Sequence, residues 1–522
     1  MADRPAYYIT TPIYYVNDVP HIGHMYTTLA CDVLARFKRL DGFHVKFLTG
    51  TDEHGQKVDK AARLSGLDPQ TFTDKVSENF RALARLMNFS NDDFIRTTEA
   101  RHVHSCQALW QTLLANDQIY LGSYAGWYAV RDEAFYAEAE LTTGPGGDKL
   151  APSGAPVEWV EEPSYFFRLS QWQEPLLRLY ADNPEFVLPR SRLNEVVSFV
   201  RGGLQDLSIS RTTFQWGIPV PDDPAHVMYV WLDALTNYIT AIGYPEVNTE
   251  DFQTFWPADV HMVGKDILRF HAVYWPAFLM AAGLAPPKRV FAHGWWTVEG
   301  QKMSKSLGNA IDPLHLIETY GRDQVRYVML REVPFGNDGD FSHESVVGRI
   351  NGELANDFGN LVQRVLSMVA KNCGGTVPTP GPQTGEDAEL LTACNGLLPA
   401  VRDAMDRQAF HEALDAIWAV IRAANGYVDR QAPWALRKSD PDRMRTVLYV
   451  LMEAIRHLGI LTQPFVPEAA GRILDQLAVG PDARSFAHLG DRHGLVAGTP
   501  VPAPTGVFPR HEVAAAAGEG TA

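Results

Sequence analysis

The sequence predicts an α/β protein in which a doubly wound parallel sheet is split by an inserted domain and followed by a separate all-α bundle. Three observations predict it. Strand-like and helix-like segments alternate up to about residue 116 and again from about residue 222. A run dense in Tyr, Trp and Phe, with a Gly/Pro-rich break at 144–156, separates the two. Beyond residue 348 only helical periodicity remains. The boundaries read as 1–116 and 222–346 for the two halves of the sheet domain and 117–221 for the insertion. The bundle takes 347–512, and 513–522 is an Ala/Gly-rich tail expected to be disordered.

Each element has its own warrant. Residues 6–16 are rich in Tyr, Ile and Thr and read as a strand, and 17–20 carry loop chemistry. Residues 21–40 place Ile22, Met25, Leu29, Val33, Leu34 and Phe37 at helical spacing. A short apolar strand, 44–48, ends at Thr49-Gly50-Thr51-Asp52, and helical patterns follow. The alternation resumes with 227–238, a strand at 260–263, the turn Gly264-Lys265-Asp266, a helix to Gly283 and a strand at 289–298. Such βαβ units place ligands beyond the carboxyl ends of the strands. In the bundle, Leu354, Phe358, Leu361, Val362, Val365, Met368 and Val369 form one face of a long helix, with further helices at 412–425 and 442–461.

Composition narrows the function classes. With 522 residues, 46% hydrophobic and 21% charged, the chain is an ordinary globular protein of three or four domains. A net charge of -16 excludes a polybasic nucleic-acid coat, while a local basic surface can still dock a nucleic acid. Four scattered cysteines exclude a disulfide scaffold. The start lacks a signal-peptide pattern, and the most apolar stretch, 272–287, is interrupted by Pro276 and Gly283. A cytoplasmic protein with no membrane contact is expected.

Two motifs carry chemistry. His21-Ile22-Gly23-His24 opens a helix after a strand. Two imidazoles three residues apart share a face with the free backbone N–H groups of the first turn, a setting that suits a polyphosphate. Gly23 allows close approach of a ligand to the backbone. An ordinary capped helix with surface histidines explains this motif equally well on its own. Lys302-Met303-Ser304-Lys305-Ser306 supplies two ammonium groups flanked by hydroxyls in a Gly-bounded loop, the makings of a phosphate clamp. A solvated charged loop is the bland alternative, but two phosphate-type sites together are hard to dismiss.

On these motifs the chain resembles the class I aminoacyl-tRNA synthetases, which pair a His-x-Gly-His motif with a distant Lys-Met-Ser-Lys-Ser loop. Within that class it is most similar to the methionyl-tRNA synthetase family. Thr11-Pro12-Ile13-Tyr14-Tyr15-Val16-Asn17, Gly50-Thr51-Asp52-Glu53-His54-Gly55, Val230-Trp231-Leu232-Asp233-Ala234 and Tyr427-Val428-Asp429-Arg430-Gln431-Ala432-Pro433-Trp434 match that family's segments in order. The resemblance runs from about residue 6 to 510. It implies a Rossmann-type catalytic domain and an anticodon-binding bundle. The implied reaction joins methionine to ATP's α-phosphate as methionyl-adenylate, then passes the aminoacyl group to tRNA(Met).

The resemblance also assigns residues. His21, His24, Lys302 and Lys305 act on the phosphates, with Gly23, Asp266, Ser304 and Ser306 binding ATP. Mg²⁺ bridging phosphates is implied with them. Ile13, Tyr15, Trp231, Ala234, Leu235, Tyr238, Ile267 and His271 match the thioether pocket, Asp52 meets the substrate ammonium, and Arg211 lies near the reaction centre. Aromatic rings suit a polarizable sulfur. Without the family match these apolar residues read as core, Asp52 and Asp266 as helix caps, and Arg211 as an ion-pair partner. The family often has Pro where Leu235 stands. In the bundle, Asn360, Arg364 and Trp434 match the residues that recognise the anticodon. An amide, a guanidinium and an indole are suited to reading and stacking an unstacked base.

One departure stands out. Many relatives carry Cys-x-x-Cys pairs in the insertion, but here 127–133 occupies that neighbourhood with no cysteine, so a zinc-free insertion is expected. A monomer is expected as well. Two other readings remain: a class I ligase for Leu, Ile, Val or Cys, and a tRNA-binding relative without catalysis. The insertion is too short for an editing domain, and the intact phosphate motifs and Asp52 speak against lost catalysis.

Overall fold

A computed structural model of the chain describes residues 4–16, 19–303 and 311–512. Two compact units are present. One comprises Ala6–Cys31 and Val45–His293, and the other Asp32–His44 together with the residues from Gly294 onward.

The first unit is built on a seven-stranded sheet. Its order runs Val187–Leu188, Val290–His293, Val260–Gly264, Ala6–Thr10, His44–Asp52, Tyr14–Tyr15, with Asp93–Arg96 also on His44–Asp52. Pairing is parallel between Ile9 and Val260, His261 and Val290, Tyr15 and Asp52, and Gly50 and Ile95. Val260–Gly264 is buried along its whole length, as a central parallel strand covered on both faces must be. The segment expected as one strand over 6–16 is two. Ala6–Thr10 ends, Thr11 N–H donates to the Leu48 carbonyl, and Pro12 has no N–H to continue the ladder. Tyr14–Tyr15 then pairs beside the end of His44–Asp52.

The segment read as an insertion, 117–221, contains an antiparallel sheet in which Ile119–Ala129 pairs with Glu158–Phe167, and Ala134–Tyr136 with the former. It also contributes Val187–Leu188 to the parallel sheet, so its second half is woven into the main sheet rather than set apart from it. The strand expected over 289–298 likewise divides. Val290–His293 belongs to the parallel sheet, whereas Trp296–Val298 pairs with Gln301–Lys302 and Gly339–Phe341. Between them the backbone of Gly294 runs so close to Asn337 that a Cβ would lie 2.3 Å from its carbonyl oxygen. The helix expected from 267 to 283 is three turns of different pitch: a 3₁₀ turn Lys265–Ile267, a π turn Phe270–Tyr274 and the α-helix Trp275–Ala281.

In the second unit the helices Asn360–Asn372, Gly385–Asn395, Leu397–Asp406, Phe410–Gln431, Pro441–Thr462 and Pro467–Gln476 pack as a bundle. Leu354, Phe358, Leu361, Val362, Val365 and Val369 form the expected buried face. Met368 of that expected face is only half-buried. Arg326, fully buried, pairs with Asp32 at 2.7 Å and donates to the Pro464 and Phe465 carbonyls. Removing one partner of such a pair is costly because the other charge stays buried. Among the described residues no helix is long and apolar enough to cross a membrane.

Candidate functional site

The two histidines of the first motif meet at the start of helix Ile22–Leu40. Their ring centroids lie 3.9 Å apart. Gly23 N–H donates to His21 Nδ1 at 3.0 Å, and His21 N–H donates to His24 Nδ1 at 3.1 Å. Because both Nδ1 atoms accept, the neutral rings carry their protons on Nε2, the arrangement needed to donate to an anion. A Cβ at Gly23 would come within 2.9 Å of the His21 ring, so a larger residue there would push that ring from its place. One turn on, Thr27 Oγ1 bonds Gly23's carbonyl and His293 Nε2 at 2.7 Å.

Asp52 closes strand His44–Asp52 and sits in register with Tyr15. It is 2% exposed, and its Oδ1 has no hydrogen-bond partner. Burial raises its carboxyl well above the ordinary range, and nearby Asp233 and Glu133 add to the effect, while the His54 backbone N–H opposes it. A buried carboxylate oxygen with nothing to bond fits an incoming cation.

The apolar residues assigned to the thioether pocket come together. Tyr15 and Trp231 meet edge to face at 6.4 Å, and Trp231 stands edge-on to His271 at 6.0 Å. Tyr238 OH bonds His271 Nε2 at 2.7 Å, and His271 Nδ1 bonds the Ile267 carbonyl at 2.9 Å. The carbonyl accepts, so Nδ1 carries the proton and Nε2 accepts from the tyrosine. Burial pushes the His271 imidazole down to about 4, so it stays neutral. His271 lies in the π turn, a local widening that occurs often at functional sites. Ala234 and Leu235 are buried on helix Val230–Thr240, and Ile13, Tyr15 and Ile267 pack against the same core.

Other assigned residues have distinct settings. Asp266 is exposed in the 3₁₀ turn, with its carboxylate against Gly264. Arg211 is buried beside the rings of Phe135, Tyr229 and Tyr128, at 4.4, 4.7 and 5.3 Å. Its Nη1 donates to Ser208 and to the Ser210 carbonyl, while Nε and Nη2 have no partner, contrary to the ion pair that sequence reasoning offered as the alternative. Lys302 lies in strand Gln301–Lys302; Ser304, Lys305 and Ser306 lie outside the described residues.

In the helical unit, Arg364 Nη2 pairs with Asp429 at 2.9 Å and its guanidinium lies 5.6 Å from the Trp434 ring centroid. Trp434 is 47% exposed, and Asn360 is exposed one turn before Arg364. Trp434 stands in the first turn of helix Pro433–Ser439. Ala432 adopts a left-handed conformation (φ 43°), ending one helix as Pro433 opens the next.

Sequence reasoning missed a set of buried polar residues around Asp52. Asp233 accepts from His54 Nδ1 at 2.6 Å and from His102 Nε2 at 2.8 Å. Burial alone would raise its carboxyl; the two imidazoles overcome that and hold it at about 2. Positions 54, 102 and 233 share no spacing that would have disclosed the contact. Glu133, 1% exposed, accepts from Tyr15 OH at 3.3 Å and from the Lys57 backbone N–H at 3.2 Å. Its carboxylate fills the space where a Cβ at Gly55 would stand.

Burial pushes the Glu133 carboxyl up to about 7 from near 4.5. The native state therefore keeps a proton that the unfolded chain releases, and stability falls as pH rises from about 4.5 to 7. Glu133→Gln removes that slope. Its unfolding free energy in urea should gain on that of the unsubstituted protein between pH 5 and 8, by up to about 3 kcal/mol; parallel pH profiles would contradict this.

Comparison with known proteins identifies the family. Residues 7–366 match the family described as tRNA synthetases class I (M), and residues 377–513 match the anticodon binding domain of methionyl tRNA ligase. The methionine–tRNA ligase of Brucella suis is 58% identical over 508 residues, covering 97% of this chain and 98% of that protein. That of Rickettsia felis is 56% identical over 512 residues, covering 98% and 99%. Among solved structures, Mycobacterium tuberculosis methionyl-tRNA synthetase in complex with methionyl-adenylate superposes with a TM-score of 0.95 at 53% identity, covering 97% of this chain and all of that one. The apo form of the same enzyme gives 0.89 at 50% identity, covering 98% and 99%.

Proposed function

Because this chain belongs to the methionyl-tRNA synthetase family of class I, we propose a division of labour among its residues in that family's reaction. The reaction uses ATP to convert methionine to methionyl-adenylate and transfers the methionyl group to tRNA. The observation that carries the substrate reading is the unpartnered, buried Asp52 Oδ1 in register with Tyr15, beside the neutral aromatic cluster of Trp231, Tyr238 and His271. Asp52 takes the ammonium group, and the rings take the thioether. Ile13, Ala234, Leu235 and Ile267 complete the apolar wall.

The substrate carboxylate attacks the α-phosphorus, the bond to the β-phosphate oxygen breaks, and pyrophosphate leaves. His21 and His24 donate from Nε2 to the phosphates as charge develops, on the first turn of a helix whose N-terminus favours anions. Gly23 lets the nucleotide approach, and Asp266 takes the ribose hydroxyls. Lys302 and Lys305, with Ser304 and Ser306, neutralise the leaving pyrophosphate, and Mg²⁺ arrives with ATP as part of the substrate. Arg211, with two unpaired guanidinium nitrogens, meets negative charge near the reacting carboxylate. ATP–pyrophosphate exchange measured across the amino acids tests the whole reading. Strongest exchange with methionine is expected, and strongest exchange with leucine would overturn it.

Asn360, Arg364 and Trp434 are assigned to the anticodon of tRNA(Met). The half-exposed indole under a guanidinium supports this, since such a platform stacks an unpaired base. Trp434→Ala should weaken tRNA binding by about 10- to 100-fold, corresponding to ~1–3 kcal/mol of base stacking. Pyrophosphate exchange without tRNA should be unchanged; a comparable loss of exchange would mean that Trp434 is structural.

The insertion is read as zinc-free. Its aromatic pairs, Trp127–Trp159 at 5.2 Å and Tyr124–Phe135 at 4.0 Å, support packing in place of a metal. Among the described residues, the group of His, Cys and acidic side chains close enough to share an ion is His102, Cys106 and Asp233, outside the insertion and held at hydrogen-bond distance. Elemental analysis should find less than about 0.1 zinc per chain, against one for a closed structural site. A cytoplasmic, monomeric enzyme completes the reading. Its cysteines are all unpaired, in keeping with a reducing compartment, and sedimentation tests the monomer.

A further inference from the structure

We propose that Asp233 is a positioning residue for amino-acid recognition: it ties the turn that carries Asp52 to the helix that carries the side-chain pocket, with His54 as the link. The proposal rests on the assignment of Asp52 and the aromatic cluster to methionine. Asp233 is fully buried on helix Val230–Thr240, the helix that also bears Trp231, Ala234, Leu235 and Tyr238. Its Oδ2 accepts from His54 Nδ1 at 2.6 Å, and its Oδ1 from His102 Nε2 at 2.8 Å. His54 lies two residues beyond Asp52, and its backbone N–H opposes the rise that burial imposes on the Asp52 carboxyl.

The arrangement is braced on each side. His102, on helix Ala100–Ala115, bonds Thr240 Oγ1 at 3.1 Å through its other nitrogen, so that helix grips both ends of the pocket helix. Cys106 Sγ lies 3.2 Å from His102 Nε2, one turn further along. Across the turn, His54 stands edge-on to Trp216 at 5.4 Å, and the Trp216 indole N–H donates to the Glu53 carbonyl at 2.5 Å. Gly55 N–H donates to the Trp216 carbonyl at 3.0 Å. Glu53 is held by Arg96 through two bonds of 2.7 Å. Among the described residues, the turn therefore has one charged anchor to the pocket helix, Asp233. An ammonium group and a side chain bound to the same α-carbon must find their partners at a set separation, so the geometry between these two elements is part of recognition.

Asp233→Asn keeps the shape but replaces one acceptor by a donor, so one imidazole faces an N–H in a buried site. The KM for methionine in pyrophosphate exchange should rise about 10- to 100-fold, while the KM for ATP stays within about twofold. Binding of 4-(methylthio)butanoate, which lacks the amino group, should be nearly unchanged, a pattern that general loosening of the site would not give. His54→Ala, which keeps the backbone N–H and spares the Asp233–His102 bond, should reproduce the split and serves if the first variant fails to fold. Equal rises in both KM values, or equal weakening of methionine and the deaminated analogue, would overturn the tie. An unchanged methionine KM in Asp52→Asn would remove the Asp52 assignment itself. A large Asp52→Asn effect beside unaltered Asp233→Asn and His54→Ala would remove only the tie.

Discussion

Asp52→Asn should lower kcat/KM for methionine in pyrophosphate exchange by about 10²- to 10³-fold while leaving the KM for ATP nearly unchanged, because a buried charge pair that loses one member costs about 2–5 kcal/mol. The substitution is isosteric, so packing against Tyr15 survives. What changes is charge. The carboxyl of Asp52 is held high by burial and by its neighbours Asp233 and Glu133, and an arriving ammonium offsets that penalty. Methionine should accordingly bind more tightly as pH rises through the region where Asp52 ionises, and this dependence should vanish in Asp52→Asn. Retention of both the affinity and its pH dependence would show that another group meets the ammonium.

Lys305→Ala should reduce the rate of methionine activation by about 10²- to 10³-fold, the size expected when one preorganised donor to a developing anion is removed. Pyrophosphate leaves with charge spread over its oxygens, so a cation that meets it acts mainly on the transition state. The effect should therefore fall on kcat more than on KM. Affinity for tRNA should change by less than about twofold, since Arg364 and Trp434, the residues proposed to meet the anticodon, are untouched. Equal loss of activation and tRNA binding would mean that the loop serves the fold rather than the chemistry.

Much of this protein was legible without coordinates because its strongest signals are local. A short apolar run marked residues 44–48 of the strand His44–Asp52, helical spacing marked the apolar face from Leu354 to Val369, and the His21–His24 spacing disclosed a helix start with two imidazoles on it. Helix bounds strayed by a few residues, as at Phe410–Gln431, since chain ends fray according to their packing.

Errors arose where a distant segment had the final word. Residues 289–298 carry one continuous strand pattern, yet the close approach of Asn337 to Gly294 ends one sheet and begins another. Val187–Leu188, in a stretch that reads as separate, finds its hydrogen-bond partners on Val290–His293. Local periodicity thus established the class of fold, and the quoted motifs carried the family resemblance from which the site residues are proposed. The link from Asp233 to His54 and His102, the depth of Asp52 and the burial of Glu133 emerged only once chain segments far apart in number were packed together. Spacing along a chain records which groups share a helix face or strand end, but hydrogen bonds and desolvation depend on distances in space.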